Sequence, residues 1–235
     1  MCIRDRRIDL VSLPRDTLLH NEYRNNKLNF AYAKGGTELL MEQIENLLGI
    51  PVDFYVTVNL KGFIALVDQI GGVDFDIPIN MDYDDPYQDL HIHFTKGPRH
   101  LNGQEAMEVV RFRHNNDGTG YGTEDIGRIG TQQAFLKAVA KQLLQIGNVK
   151  NIPALVDIFY TYVKTDLTTG NLVWLGNEAL NIGTENIHFA TLPGDGSGYY
   201  NKQSVYVLDA QATCDLVNEA LNPYNCLLYT SDAAD

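Results

Sequence analysis

Two arginines one residue apart, Arg111 and Arg113 in the run VRFRH, are the sharpest chemical signal in this chain. Val109, Val110 and Phe112 around them predict a strand over 109–113. Residues two apart on a strand share a face, so both guanidinium groups would project together while Val110 and Phe112 turn inward. Two such charges side by side cost free energy unless an anion compensates them. The anion is either a pair of carboxylates elsewhere in the fold or a phosphate or pyrophosphate, which suits the planar fork of arginine. Arg128 favours the ligand. A long helix is predicted from about Ile126, which puts Arg128 in or near its first turn beside Gly127. There the helix dipole opposes a cation, while free backbone N–H groups attract an anion. Asp125 is either the cap of that helix or a site carboxylate, and Gln132 either lines the site or faces solvent. Arg15 and Asp16 fall in a turn that ends a strand, where open α/β sheets present ligands; a local ion pair is the plain alternative. Lys27 and Asn29 lie in a stretch too polar to assign.

The remaining polar residues carry weaker signals. Asp82, Asp84, Asp85 and Asp89 invite a calcium reading, but their spacing is not that of an EF-hand loop and its required glycine is absent. His91 and His93 share a strand face, and two histidines alone make a weak metal site. His114 could touch a substrate. The glycine- and tyrosine-rich run LPGDGSGYY is a binding lip or an ordinary turn. No nucleophile elbow, P-loop or dinucleotide fingerprint is present.

The elements that must position these residues read as α/β. Val11 and Leu13 form a short strand before Pro14. A helix follows from Thr37, with Leu39, Leu40, Ile44, Leu47 and Leu48 at helical spacing, stopped by Gly49 and Pro51. Phe54, Val56 and Val58 alternate as a strand. Asn59 caps a helix that Gly71 and Gly72 end, and Val73, Phe75 and Ile77 alternate again. Residues 80–100 hold an acidic, aromatic loop, and Asn102 with Glu105 forms a capping box. The segment 115–123 is a loop. Phe135, Ala138, Val139, Leu143 and Ile146 line one side of the long helix. Helices near 152–164, 170–181 and 209–222 and a strand near 187–192 complete one layered domain with a central, largely buried sheet.

The chain has 235 residues and a net charge of −12. That acidity excludes a general nucleic-acid binder, which needs a basic surface, but not a local anion site. The ends read differently from the rest: MCIRDR and CLLYTSDAAD resemble translated read-through of sequencing adapters. The natural segment is therefore expected to be 8–225, between a leader (1–7) and a tail (226–235) that make few core contacts. Trimming removes three residues of each sign and leaves the net charge unchanged. Cys214 then stands alone, a structural thiol in a helix with no disulfide partner.

The runs LVSLPRDTLL, KLNFAYAKGG, ELLMEQIENLLGIPVDFYVTVNLKGFIALVDQIGGVDFDIP, MDYDD, GPRHLNGQEAMEVVRFRH and DIGRIGTQQAFLKAV together resemble the LytR-CpsA-Psr family. The likeness is strong over about 8–146 and looser through LPGDG and YVLDAQATCDLVNEAL. It implies an α/β/α sandwich with a central mixed sheet and a hydrophobic groove for a polyprenyl chain. It also implies an enzyme outside the membrane of a Gram-positive bacterium, held by an N-terminal helix that the segment lacks. Such an enzyme moves an undecaprenyl-pyrophosphate-linked glycopolymer, teichoic acid or capsular polysaccharide, onto the C6 hydroxyl of peptidoglycan N-acetylmuramic acid. By the same resemblance Arg15, Arg111, Arg113 and Arg128 line the pyrophosphate site. For such a reaction Asp16 and Asp125 are the available carboxylates to orient or deprotonate the acceptor hydroxyl. Magnesium is implied too, on aspartates expected upstream of this segment. The sequence departs from the family at Thr131, where many members carry a further arginine. Two other readings keep the same residues: a polyprenyl-pyrophosphate phosphatase, and a non-catalytic envelope protein that binds the lipid or glycan.

Overall fold

The computed structural model describes residues 2–4, 7–20, 25–122, 124–145, 152–224 and 226–229. The chain is mixed α/β, as expected, and packs as two compact units, residues 56–184 and residues 1–55 with 185–235. Its strands are distributed over several small sheets. No helix among the described residues is long and apolar enough to cross a membrane.

The unit 56–184 contains β3 (Val56–Val58), α2 (Leu60–Gln69), β4 (Val73–Ile77), β5 (Met81–Asp85), β6 (Leu90–Phe94), β7 (Gly97–Leu101), α3 (Gly103–Arg111), α4 (Glu124–Gln145), α5 (Ile152–Tyr162), β8 (Val163–Thr165) and α6 (Thr169–Ile182). Asn59 caps α2 by accepting from the Gly62 amide at 2.8 Å. Asn102 and Glu105 form the expected capping box on α3. β4 pairs antiparallel with β7, and β5 with β6. Alternation decides which face goes inward: Val73, Phe75 and Ile77 are buried while Asp74 and Asp76 are exposed, and Leu90, Ile92 and Phe94 are buried while His91 and His93 are exposed. These faces meet Val67 and Ile70 beside α2, Ala106, Val109 and Phe112 of the α3 region, and Phe135 and Val139 of α4 in one core. The Phe135 ring lies 5.4 Å from Phe75 and 5.7 Å from Phe63.

The other unit holds β1 (Cys2–Arg4), β2 (Arg7–Ser12), α1 (Leu28–Leu48), β9 (Ile187–Thr191), β10 (Gly194–Tyr200), β11 (Gln203–Leu208) and α7 (Ala210–Ala220). β2 runs parallel to β9 and antiparallel to β1. α1 begins before Thr37 but is broken at Gly35–Gly36, so its regular part starts where the sequence places it. Gly49 adopts the left-handed conformation that ends it. Leu48, Ile50, Leu192 and Val217 form the core, with Val11, Leu13, Ile44 and Leu47 against them.

Four expectations need correction. The segment 109–113 is not a strand: it is the end of α3 and the residues that leave it. Ala106, Met107, Val109 and Val110 repeat at helical as well as alternating spacing, and the capping box decides for the helix. The strands at 56–58, 73–77 and 187–191 therefore lie in three different sheets. The acidic run 80–89 is not all loop: Met81–Asp85 forms β5, because Met81 and Tyr83 alternate inward against outward aspartates, while His91 and His93 share the outer face of β6 as expected. The ends are also better attached than expected. Cys2–Arg4 pairs with Arg7–Asp9, and Leu228 packs on the second core. The Asn218 amide on α7 accepts from the Leu228 N–H and donates to its carbonyl, which satisfies that stretch of backbone. Residues 1, 5–6 and 230–235 lie outside the described residues. Cys214 sits in α7 as expected, half-buried, with its thiol 3.1 Å from the Leu228 carbonyl.

Candidate functional site

The junction of α3 and α4 gathers three of the arginines singled out by the sequence. Phe112 takes the chain out of α3 with its N–H still bonded to the Glu108 carbonyl at 3.1 Å, and its side chain is 1% exposed. Its ring meets Tyr121 edge-on at 5.6 Å. Tyr121 in turn packs against the start of α4. A Cβ on Gly127 would come within 2.2 Å of the Tyr121 Cβ, so only glycine allows this approach. The Thr131 hydroxyl lies 2.8 Å from the Tyr121 hydroxyl, and burial pushes the Tyr121 phenol up from its ordinary value. One turn on, Gln132 Nε2 donates to the Val110 carbonyl at 3.0 Å, satisfying a group that the end of α3 leaves open. Arg128 precedes Gln132 by four residues and shares its helix face. Arg111 and Arg113 thus flank the buried Phe112, and Arg128 lies one turn before Gln132, which ties α4 to the end of α3.

Their settings differ from the expected strand pair. Arg111 lies in the last turn of α3, where a cation suits the helix dipole. Arg113 lies beyond the helix, half-buried. Arg111 donates to Gln88 Oε1 at 2.7 Å and approaches the Met107 sulfur at 3.6 Å. Both are neutral, and among the described residues Arg111 has no carboxylate partner. Arg128 is in the second turn of α4, because the helix starts at Glu124 and not near Ile126; the argument from a cation in the first turn falls. Its Nε has lost contact with solvent. The side chain of Asp125 lies outside the described residues. Gln132 acts on Val110 and so positions the junction. Thr131, at the family's further arginine position, is buried rather than on a rim.

Arg15 and Asp16 belong to the other unit. Asp16 accepts from Lys27 Nζ at 3.1 Å and Asn29 Nδ2 at 3.3 Å, with Arg15 Nε at 3.4 Å. The turn is fixed by backbone: the Asn29 amide donates to the Arg15 carbonyl and the Tyr206 amide to the Asp16 carbonyl, both at 2.9 Å. Sequence reasoning left Lys27 and Asn29 unassigned and missed Gln88 entirely. Lys27 is more than ten residues from Asp16, and Gln88 more than twenty from Arg111, so no local spacing signals either contact.

The outer face of the β5–β6 hairpin holds a third constellation. His91 Nδ1 lies 2.5 Å from Asp84 Oδ1, His93 Nδ1 lies 2.8 Å from Asp82 Oδ1, and His93 Nε2 lies 3.3 Å from Asp84 Oδ1. Hydrogen bonds donated to these carboxylates raise both imidazoles above their ordinary value, and the His91 bond holds Asp84 below its own. Asp84, His91 and His93 are the one group of three metal-ligating side chains that gathers among the described residues. The magnesium implied by resemblance takes oxygen ligands in a strict octahedron, and this set offers two imidazoles. Asp16 is wrapped by cations, while Asp9, in the strand before the PRD turn, is buried and paired with Arg7 at 2.8 Å. The described residues do not fit magnesium.

The junction thus holds Arg111 with the neutral partners Gln88 and Met107. Residues 2–222 match the LytR_cpsA_psr family, and the chain belongs to that family. It is 31% identical over 240 residues to the polyisoprenyl-teichoic acid–peptidoglycan teichoic acid transferase TagV of Bacillus subtilis, covering 98% of this chain and 59% of that protein. It is 33% identical over 211 residues to the transferase TagU of Bacillus cereus, covering 89% of this chain and 66% of that one. The chain thus spans under two thirds of the length of these relatives. Among solved structures, B. subtilis TagV aligns with a TM-score of 0.72 at 27% identity, over 89% of this chain and 80% of that one. A LytR-Csp2A-Psr enzyme from Actinomyces oris shares the fold, with a TM-score of 0.75 at 21% identity over 93% of this chain and 82% of that one.

Proposed function

We propose that this chain is part of a phosphotransferase that moves an undecaprenyl-pyrophosphate-linked glycopolymer, of teichoic acid or capsular polysaccharide type, onto the C6 hydroxyl of peptidoglycan N-acetylmuramic acid. Its place is the outer face of the cell membrane of a Gram-positive bacterium. The transferase names of its relatives support the reaction class. The observation that carries the reading is Arg111, whose guanidinium is oriented by Gln88 and Met107 without being neutralised by them. An uncompensated charge of that kind is stabilised by a bound pyrophosphate.

In this reading Arg111, Arg113 and Arg128 receive the pyrophosphate oxygens. The acceptor hydroxyl oxygen attacks the phosphorus that bears the glycan. A new P–O bond forms there, the bond to the bridging oxygen breaks, and undecaprenyl phosphate leaves. The arginines stabilise the charge that grows on the leaving phosphate. The hydroxyl proton passes to a carboxylate or to solvent, Asp125 being the carboxylate that adjoins Arg128 in the sequence. Magnesium, expected from the family, enters no step.

Titration with a polyprenyl pyrophosphate tests the site. Loss of one charge-assisted contact costs about 1.5–3 kcal/mol, so Arg111→Ala and Arg113→Ala are each expected to weaken binding by roughly tenfold or more. Unchanged binding in both variants would return these residues to a structural role. Product analysis with a peptidoglycan acceptor separates transfer, which gives a phosphodiester on the glycan strand, from hydrolysis, which gives free glycan phosphate. Tight binding with no turnover would favour the non-catalytic alternative.

A further inference from the structure

We propose that the outer face of the β5–β6 hairpin is a binding site for a zinc-type divalent cation, with Asp84, His91 and His93 as ligands and Asp82 holding His93 in place. The strand register builds the site. Asp84 lies directly across from His91, and Asp82 across from His93, so four polar side chains occupy one face of two paired strands. The opposite face is fixed in the core through Met81, Leu90, Ile92 and Phe94. The free edge of β5 is held as well: Asn115 and Asn116 accept from the Asp82 and Asp84 amides at 2.7 and 3.0 Å. The ligands therefore stand on a braced platform, which a loop cluster of the same residues would lack.

Simple ion pairing accounts for Asp84 with His91 and for Asp82 with His93. In addition, a single oxygen of Asp84 reaches both rings, 2.5 Å from His91 Nδ1 and 3.3 Å from His93 Nε2, and His93 has a carboxylate at each ring nitrogen. A carboxylate on Nδ1 that leaves Nε2 directed at a shared centre is the arrangement that orients metal-binding histidines. One ligand atom from each of Asp84, His91 and His93 lies within 4.8 Å of the others. A tetrahedral zinc ion with ligand bonds near 2.1 Å needs them about 3.3 Å apart, which small side-chain rotations supply. Asp89 adds charge at the rim, 3.7 Å from His91 Nε2. Two imidazoles with one carboxylate select a transition metal over magnesium or calcium. Three protein ligands leave one position for water.

The experiment is a titration of the metal-stripped chain with zinc near neutral pH, followed by calorimetry and by competition with a chromophoric chelator. One saturable equivalent is expected. His93→Ala and Asp84→Asn should each weaken it at least tenfold, and Asp82→Asn by about tenfold, the usual effect of removing an orienting partner. Cys226→Ser, which removes an exposed thiol, and His100→Ala should leave it unchanged, as should an excess of magnesium. All the substituted side chains are exposed, and circular dichroism verifies that each variant is folded. As a second readout, the ring resonances of His91 and His93 should shift on adding zinc to the unsubstituted chain. The proposal is overturned if no saturable equivalent binds, if binding survives both His93→Ala and Asp84→Asn, or if those rings do not respond.

Discussion

The PRD turn and the α3–α4 junction both present arginine, and they hold it in opposite ways. At the turn, Asp16 draws Arg15, Lys27 and Asn29 onto one carboxylate, which offsets one of the two positive charges there. At the junction, Phe112 is pressed into the core between Arg111 and Arg113, and among the described residues Arg111 meets the neutral acceptors Gln88 and Met107. Position set by Coulomb attraction uses up the charge it positions. Position set by packing leaves the charge available. The two regions therefore differ in what holds their arginines: a carboxylate at the turn and a buried ring at the junction.

Breaking the pin should have the largest effect. Phe112→Ala removes a fully buried aromatic side chain, which costs about 3–5 kcal/mol, and denaturant unfolding will measure it. Polyprenyl-pyrophosphate binding should fall as well, under conditions where the variant remains folded, because both flanking arginines lose their anchor. Phe112→Leu should recover most of both. Wild-type stability in Phe112→Ala would end the distinction between the two regions. Gly127→Ala comes next. Its new methyl would meet Tyr121 at 2.2 Å, and the contact is with the Cβ rather than a flexible tip. Forced overpacking of this kind costs about 1–3 kcal/mol. An unchanged unfolding midpoint would show that α4 can shift away from Tyr121 freely.

At the turn the expected losses are smaller. Asp16→Asn keeps the shape and removes the charge, and a pair near the surface is worth about 1 kcal/mol or less. A double-mutant cycle with Lys27→Met should return a coupling of that size. A coupling as large as the Phe112 effect would mean that electrostatics organises the turn as firmly as packing organises the junction.

How much of this was legible in the sequence follows the range of each interaction. The caps at Asn59 and Asn102 and the stop at Gly49 were readable because their partners lie within a turn. The faces of β4 and β6 were readable because alternation is local. The VRFRH segment was misread because Val109, Val110 and Phe112 satisfy both periods, and only a capping box several residues upstream separates them. The arginines were legible as residue types and by resemblance, whereas Gln88, Lys27 and Gln132 acquired their roles through contacts between distant segments. The histidine–aspartate face needed the register of β5 against β6, which depends on where the intervening turn falls.

The smallest effect concerns an exposed pair in the same unit as the junction, and it tests whether such pairs contribute measurably at all. His100 sits across from Asp74 in the β4–β7 register, with Nδ1 2.7 Å from the Asp74 carboxylate and Nε2 2.9 Å from the Gly71 carbonyl. Both partners are acceptors, so the ring satisfies both only when it is protonated. Asp74 is the leading cause that raises His100 above its ordinary value, with the Gly71 carbonyl and Glu105 adding to it. Glu105 is itself paired with Arg99 at 2.7 Å, which limits its share. A raised folded value means that the stabilisation is fully present below the unfolded value of about 6.5 and is lost as pH rises through the folded one. The stability difference between the unsubstituted chain and His100→Ala should therefore be larger at about pH 5.5 than at about pH 9. The side chain is 57% exposed, so screening keeps the difference well below that of the buried pin. Equal differences at the two pH values would show that water already satisfies the ring, and that the unit owes its stability to packing alone.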